Sequence, residues 1–185
     1  VLVLGAGGVV GQVAVQLARI VGAGQVAAAT RGEQSVARAR DLGADVVVDT
    51  SSGLEQPLQQ RLADALPDGV DLVIDPVWGA TAEAAAGVLA PGGRLVNLGD
   101  AAGATAVLPS SLVRSRSLDI LGYTNLSVSW PDQVAMLDEV LAMVADGRLR
   151  VEPDVVAWDD APAGWARQAA GGSSRRVVVD VTTAR

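Results

Sequence analysis

Val1-Leu2-Val3-Leu4-Gly5-Ala6-Gly7-Gly8-Val9-Val10-Gly11 runs directly into a helical pattern over Gln12 to Val21. A short apolar run, a glycine-rich turn and an amphipathic helix make a strand–turn–helix unit suited to a pyrophosphate. One glycine forms the tight turn, one admits phosphate close to the backbone, and one lets the helix pack on the strand. Phosphates then meet the unpaired N–H groups at the helix start, where aligned peptide dipoles amount to roughly half a positive charge. Val9 and Val10, between the last glycines, share this site with Gly5, Gly7, Gly8 and Gly11. The spacing is Gly5-x-x-Gly8-x-x-Gly11, because Val10 stands where a strict G-x-G-x-x-G pattern needs its last glycine. Val10, Val13, Ala14, Leu17 and Val21 recur at helical spacing, which predicts that this stripe is the packed face.

Composition narrows what such a unit can do. A chain of 185 residues, half of them apolar, suffices for one sizeable core or one domain with an appendage. No apolar run approaches the roughly 18–20 residues of a membrane helix, and no charged leader opens the chain, so a cytoplasmic protein without a membrane partner is expected. The net charge of −7 argues against a nucleic-acid partner, which needs a basic face. Cysteine, histidine and lysine are all missing. Catalytic zinc is held by cysteine and histidine, and histidine is the commonest general acid–base. These residues are therefore expected to hold no metal, and no catalytic residue is assigned among them.

Further along, strands and helices alternate. Gln25–Thr30, Ala44–Val48, Asp71–Asp75, Arg94–Leu98 and Leu118–Leu121 read as strands. Glu33–Leu42 (stopped by Gly43), a segment opened by Pro57 with Leu54, Leu58, Leu62 and Leu66 four apart, Thr81–Leu89 and the short Leu108–Val113 read as helices. Pro67-Asp68-Gly69 and Pro91-Gly92-Gly93 read as turns. With the opening strand this predicts an α/β Rossmann fold, a doubly wound parallel six-stranded sheet of order 3-2-1-4-5-6 over residues 1–124. Its ligand would lie at the carboxyl ends near strands 1 and 4.

Past Thr124 the pattern changes. Ser129-x-x-Asp132 with Pro131 resembles a capped helix start, and the helix runs through Ala145. Val134, Met136, Leu137, Val140, Leu141, Met143 and Val144 cover more than one stripe, which suits burial on two sides or simple packing into the same domain. Arg175–Val181 reads as a strand, and Trp158 and Trp165 as packing for the tail.

The second strand bears on the cofactor. In NAD-binding units an acidic residue about 20 positions past the glycines holds the ribose 2′-OH. Here no Asp or Glu occurs between Gly11 and Glu33, and Arg31 stands at that distance. A guanidinium there suits a 2′-phosphate, so NADP(H) is expected over NAD(H). Thr30 offers a hydroxyl, Arg38 a second cation, and Thr50 an adenosine contact.

This order of features resembles the medium-chain dehydrogenase/reductase family. The matching residues are Gly5–Gly11 with Val15–Ala18, Asp41–Asp45, Val70–Asp75, Leu89–Val96 and the closing Gly172–Val181 segment. The extra residue in the glycine turn is similar to the zinc-independent quinone and enone reductase branch. The resemblance implies hydride transfer to an enone, quinone or similar carbonyl compound, a small-molecule substrate. It implies cofactor contacts around Asp75 and Val77, and contacts to the nicotinamide half at Asn97, Leu98, Gly99, Leu121, Gly122 and Tyr123. Tyr123 is a proton-donor or packing candidate, and the edge of the sixth strand is a homodimer candidate. Family members carry an N-terminal substrate domain, so the chain reads as the cofactor portion, with 125–185 returning to complete that domain. The family's Gly-Gly after the fourth strand is Trp78-Gly79 here. Two alternatives stand beside this reading: a zinc alcohol dehydrogenase whose ligands lie upstream, and a non-catalytic NADP(H)-binding module.

Overall fold

The computed structural model describes residues 1–171 and 175–184. Its first two-thirds alternate in the order β1 (Leu2–Leu4), α1 (Val9–Ile20), β2 (Ala27–Thr30), α2 (Glu33–Asp41), β3 (Val46–Asp49), α3 (Leu58–Ala65), β4 (Val70–Asp75), α4 (Gly79–Ala86), β5 (Leu89–Asn97), α5 (Ser110–Ser115) and β6 (Asp119–Gly122). All six strands are parallel, in the order β3-β2-β1-β4-β5-β6. This is the doubly wound Rossmann sheet that the glycine turn and the strand–helix alternation predict.

Strand alternation divides the core between the two faces. Leu2 and Leu4 join Leu62, Leu66, Ala82 and Ala85 on the side of α3 and α4, while Val3 joins Val15, Ala18 and Ala39 on the side of α1 and α2. β2 is almost all alanine and fully buried, so short side chains occupy both faces next to the central strand.

The buried face of α1 differs from the expected stripe. Gly11, Gln12, Val15, Gln16 and Ala18 are inside, whereas Val10 is 56% and Val21 78% exposed. The cause is one contact. A Cβ on Gly11 would stand 2.4 Å from the Gly5 carbonyl oxygen and 2.6 Å from Ala6 Cα. That approach fixes the rotation of the helix, and the larger apolar residues turn wherever it leaves them. Elsewhere β5 runs through Pro91-Gly92-Gly93 instead of starting after a turn. Its register against β4 jumps from Val70↔Leu89 to Leu72↔Arg94, so the turn is folded into the strand as a bulge. α4 correspondingly ends at Ala86, before the expected Leu89.

Beyond the sheet lie α6 (Trp130–Ala145), β7 (Asp154–Ala157), α7 (Ala161–Ala169) and β8 (Val177–Asp180). The Ser129 hydroxyl accepts from the Asp132 N–H and donates to its carboxylate at 2.6 Å, as the cap pattern predicts. Burial of α6 on two sides is not found. None of its residues is buried, and Met136, Leu137 and Leu141 are each more than half exposed. Its apolar surface is wider than anything this chain sets against it. β7 and α7 are additions to the sequence reading, with β7 and β8 pairing in parallel as a separate two-stranded sheet. α7 meets that sheet through Gly164, whose missing Cβ would be 3.0 Å from Val177 Cγ1 and 3.2 Å from Val156 Cγ2. Trp158 and Trp165 are therefore not the packing of the tail; they are 49% and 78% exposed. Gly172–Ser174 of the closing family segment lie outside the described residues.

One polar tie has a measurable consequence. The Asp45 carboxylate accepts from the Val26 N–H at 2.8 Å and pairs with the Arg19 guanidinium, joining α1 to the starts of β2 and β3. The Val26 N–H, and after it Arg19, hold the Asp45 carboxyl below its ordinary value of 3.8. The Ser51 hydroxyl and N–H do the same for Asp49. A depressed folded-state value means stability that is present above the ordinary value and lost as pH falls below it through the folded-state value. The urea midpoint is expected to drop on acidification from about pH 6 to about pH 3, and Asp45→Asn to shrink that drop. An acid dependence identical in the variant would contradict the assignment.

Candidate functional site

Gly5 turns the chain out of β1 with φ +59°, and the Gly8 N–H closes the turn on the Gly5 carbonyl at 3.0 Å. Gly8 is the N-cap of α1 in extended backbone, and it contributes no side-chain cap; the first helical turn carries no acidic residue. The N–H groups of Val9, Val10 and Gly11 thus have neither an intrahelical acceptor nor a competing carboxylate, which is the arrangement that receives an anion. A Cβ on Gly7 would stand 2.6 Å from Thr30 Oγ1 and 3.0 Å from Ser35 Oγ, so this glycine brings the end of β2 and the first turn of α2 against the phosphate turn.

The turn opens on a cleft of about 1040 Å³ along the carboxyl ends of the strands. Gly5, Gly7 and Gly8 line it beside Thr30, Arg31, Thr50 and Val77, all expected there. Residues 32–35, Ser52, Ala80, Thr81, Ala101, Ala102 and Gly171 line it as well, and sequence reasoning missed them. A hydroxyl in the first turn of the helix just after Arg31 was the available signal for Ser35. The alanines gave none. Arg31 and Glu33 stand together on the rim, one charge of each sign.

Several expected residues are elsewhere. Arg38 does not join Arg31; it lines a smaller cleft of about 230 Å³ with Gln12, Asp41 and Arg150, because α2, which starts at Glu33, carries it past the rim. Leu121, Gly122 and Tyr123 are exposed at the end of the edge strand β6 and are absent from the cleft lining. The Tyr123 N–H donates to the Asn97 carbonyl at 2.9 Å.

Asp75 is fully buried and does not reach the cleft. Its Oδ1 accepts from the N–H groups of Val77 and Trp78 at 2.9 and 2.8 Å, and its Oδ2 from Asn97 Nδ2 at 3.3 Å. Asn97 Nδ2 also donates to the Gly99 carbonyl at 2.7 Å, the Leu98 N–H to the Asp75 carbonyl at 2.7 Å, and the Ala102 N–H to the Val77 carbonyl at 2.7 Å. Gly99 passes so close to Pro76 that a Cβ would stand 2.9 Å from the Pro76 carbonyl oxygen. The turn after β4 and the loop after β5 are thus knitted into one wall, with Val77, Ala101 and Ala102 on its cleft side. Asn97, Leu98 and Gly99 serve from behind it. Trp78 adopts φ 59° and ψ −157°, a region that costs a non-glycine residue of order 1–3 kcal/mol. The Asp75 carboxylate on its N–H and packing of Trp78 against the core offset that cost.

Asp75→Ala leaves the Val77 and Trp78 N–H groups without their acceptor, while Asn97 Nδ2 keeps the Gly99 carbonyl, and unfolding free energy is expected to fall by about 2–4 kcal/mol. Asp75→Asn, which keeps an acceptor for the two backbone groups, is expected to lose less than half of that. Urea unfolding reads both, and equal losses would contradict the clamp.

A sequence profile described as zinc-binding dehydrogenase matches residues 9–142. The spectinabilin polyketide synthase system protein NorB of Streptomyces orinoci is 34% identical over 169 residues, which are 88% of this chain and 7% of that protein. Among solved structures, AibC superposes with a TM-score of 0.81 at 33% identity over 96% of this chain and 48% of its own. Escherichia coli quinone oxidoreductase, complexed with NADPH, gives a TM-score of 0.80 at 21% identity over 96% of this chain and 56% of its own, a likeness of fold. Alcohol dehydrogenases are also similar in structure, an NAD-dependent one included. The chain spans about half the length, or less, of the proteins it matches here.

Proposed function

Because the chain belongs to the zinc-binding dehydrogenase family of medium-chain dehydrogenases/reductases, we propose that it is the cofactor-holding part of a cytoplasmic NADP(H)-dependent oxidoreductase whose hydride acceptor is an enone, a quinone or a similar carbonyl compound. One observation carries the reading: Gly8, the N-cap of α1 with no side-chain cap, and Arg31 line the same cleft. The first suits a pyrophosphate and the second a 2′-phosphate. The NADPH complex of the E. coli quinone oxidoreductase supports that choice of nucleotide.

When bound, the nicotinamide supplies the hydride, and the protein supplies place and surroundings. The N–H groups of Val9, Val10 and Gly11 hold the pyrophosphate, while Gly5, Gly7 and Gly8 let it approach the backbone. Thr30, Arg31 and Ser35 take the phosphorylated ribose, and Thr50 the adenosine side. Val77 forms the wall towards the nicotinamide half, kept in position by the Asp75–Asn97 clamp with Leu98 and Gly99. Leu121, Gly122 and Tyr123 are assigned to the free edge of β6, where a two-fold partner would pair. Residues from 125 onward are assigned to a substrate domain, a reading supported by their separate two-stranded sheet and the exposed apolar side of α6.

The test is hydride transfer in the protein as it occurs: oxidation of NADPH by a quinone and by an enone, set against oxidation of a simple alcohol by NADP⁺. Turnover of the first pair, insensitive to a zinc chelator, is expected. Chelator-sensitive alcohol oxidation alone would make it a zinc alcohol dehydrogenase, a reading that the alcohol dehydrogenases of similar structure favour. Nucleotide binding without turnover of any of the three would make it a binding module.

A further inference from the structure

Two buried amides run along the inner face of α1, and the cofactor reading assigns them no role. Gln12 and Gln16 are 8% and 6% exposed. Gln12 Nε2 donates to the Gly7 carbonyl, inside the phosphate turn, at 2.8 Å. One helical turn on, Gln16 Nε2 donates to the Gln12 carbonyl at 3.1 Å and to the Arg150 carbonyl at 2.9 Å, and the Arg150 N–H returns a bond to Gln16 Oε1 at 2.8 Å. Gln16 therefore uses both amide hydrogens and its oxygen, and the reciprocal pair with Arg150 fixes which way the amide points. The partner segment is itself anchored: Leu149 is buried, its N–H bonds the Met143 carbonyl at 3.0 Å, and Arg150 Nη2 donates to the Asp41 carbonyl at 3.1 Å.

An apolar pair would fill the same space. Buried amides left half-satisfied are costly, and here they bond backbone groups of the phosphate turn and of a segment 134 residues away from Gln16. We infer that Gln12 and Gln16 are positioning residues, an amide relay through which the backbone at Arg150 sets the Gly7 carbonyl and with it the orientation of the pyrophosphate-binding turn. The chain beyond α6 is thereby part of the cofactor site, although no residue from 149 to 152 lines the cofactor cleft. Coupling of this kind is reciprocal: filling the cleft must tighten the Arg150 contact as much as that contact favours filling it.

The inference rests on the cofactor reading, and the test separates the two. Gln16→Met keeps the volume and removes every side-chain bond of Gln16, the two to Arg150 included, while the Gln12–Gly7 bond keeps its donor. The full chain is titrated with NADPH, which spans the turn, and with 2′-AMP, which has no pyrophosphate. Gln16→Met is expected to weaken NADPH about ten-fold and leave 2′-AMP within about two-fold, a split that general loosening of the fold does not give. Unchanged NADPH affinity, or equal losses for both ligands, would overturn the relay. A wild-type chain that binds neither ligand would instead overturn the cofactor reading and remove the relay's basis with it. If Gln16→Met fails to fold, amide exchange on the wild type decides: protection of the Arg150 N–H must rise several-fold on adding NADPH, and no change would overturn the relay.

Discussion

Gly11→Val is expected to unfold the protein at lower denaturant and to abolish measurable nucleotide binding. Its Cβ would meet backbone, the Gly5 oxygen at 2.4 Å and Ala6 Cα at 2.6 Å, and backbone cannot step aside as a flexible side chain can. α1 must move out, taking with it the N–H groups of its first turn and the buried Val15 and Ala18. Overpacking of this kind costs about 1–3 kcal/mol, and valine recovers little of it through helix propensity. For a chain of this size that is a fall of roughly 2–12 °C in unfolding temperature. Gly24→Ala is the control, because a Cβ there meets nothing within 4 Å. It should leave both stability and binding where they are. A Gly11→Val protein that binds nucleotide as the wild type does would remove the close strand–helix approach from the account.

The second large effect is a reversal of nucleotide preference. Arg31→Asp exchanges a cation on the cleft rim for an anion, next to the carboxylate of Glu33. A charge-assisted hydrogen bond contributes about 1.5–3 kcal/mol, and repulsion between the new carboxylate and a 2′-phosphate adds to its loss. NADPH affinity is expected to fall at least about thirty-fold, while NADH affinity holds or improves through the ribose 2′-OH. A carboxylate at Glu33 repels a 2′-phosphate bound beside it, so Glu33→Gln is expected to strengthen NADPH by a few-fold. Equal loss of both nucleotides in Arg31→Asp would count against the 2′-phosphate assignment.

Much of this was legible because β–α alternation and glycine spacing are local signals. Three residues of β1, the turn at Gly5 and the helix start at Gly8 follow one another in the chain, and each constrains the next. The rotation of α1 was not legible in the same way. Hydrophobic periodicity weighs side chains by size, and here the deciding contact belongs to a residue with none. Gln12 and Gln16 lie off the apolar stripe, so periodicity assigns them to the solvent side instead of the buried face. β7 was missed because a four-residue strand that pairs in parallel with one beginning more than 20 residues later leaves no turn signature between them. On the site, a count from Gly11 reaches Arg31, and Thr30 and Thr50 stand at the ends of strands. Val77, Asp75 and Asn97 follow only from the family resemblance, and the structure turns Asp75 and Asn97 inward. A carboxylate that ends a buried strand has two backbone N–H groups of the next turn within reach, and it satisfies those. Ala101 and Ala102 line the cleft only because the Ala102 N–H bonds the Val77 carbonyl, a contact across two loops that neither segment announces.

The cleft above Gly5, Gly8 and Arg31 is proposed to hold NADP(H), and calorimetric titration of the folded chain with NADPH and, separately, with NADH decides it. Saturable binding of one nucleotide per chain is expected, with NADPH tighter by about ten-fold or more, which corresponds to about 1.4 kcal/mol. Tighter binding of NADH, or a folded chain that takes up neither nucleotide, would contradict it.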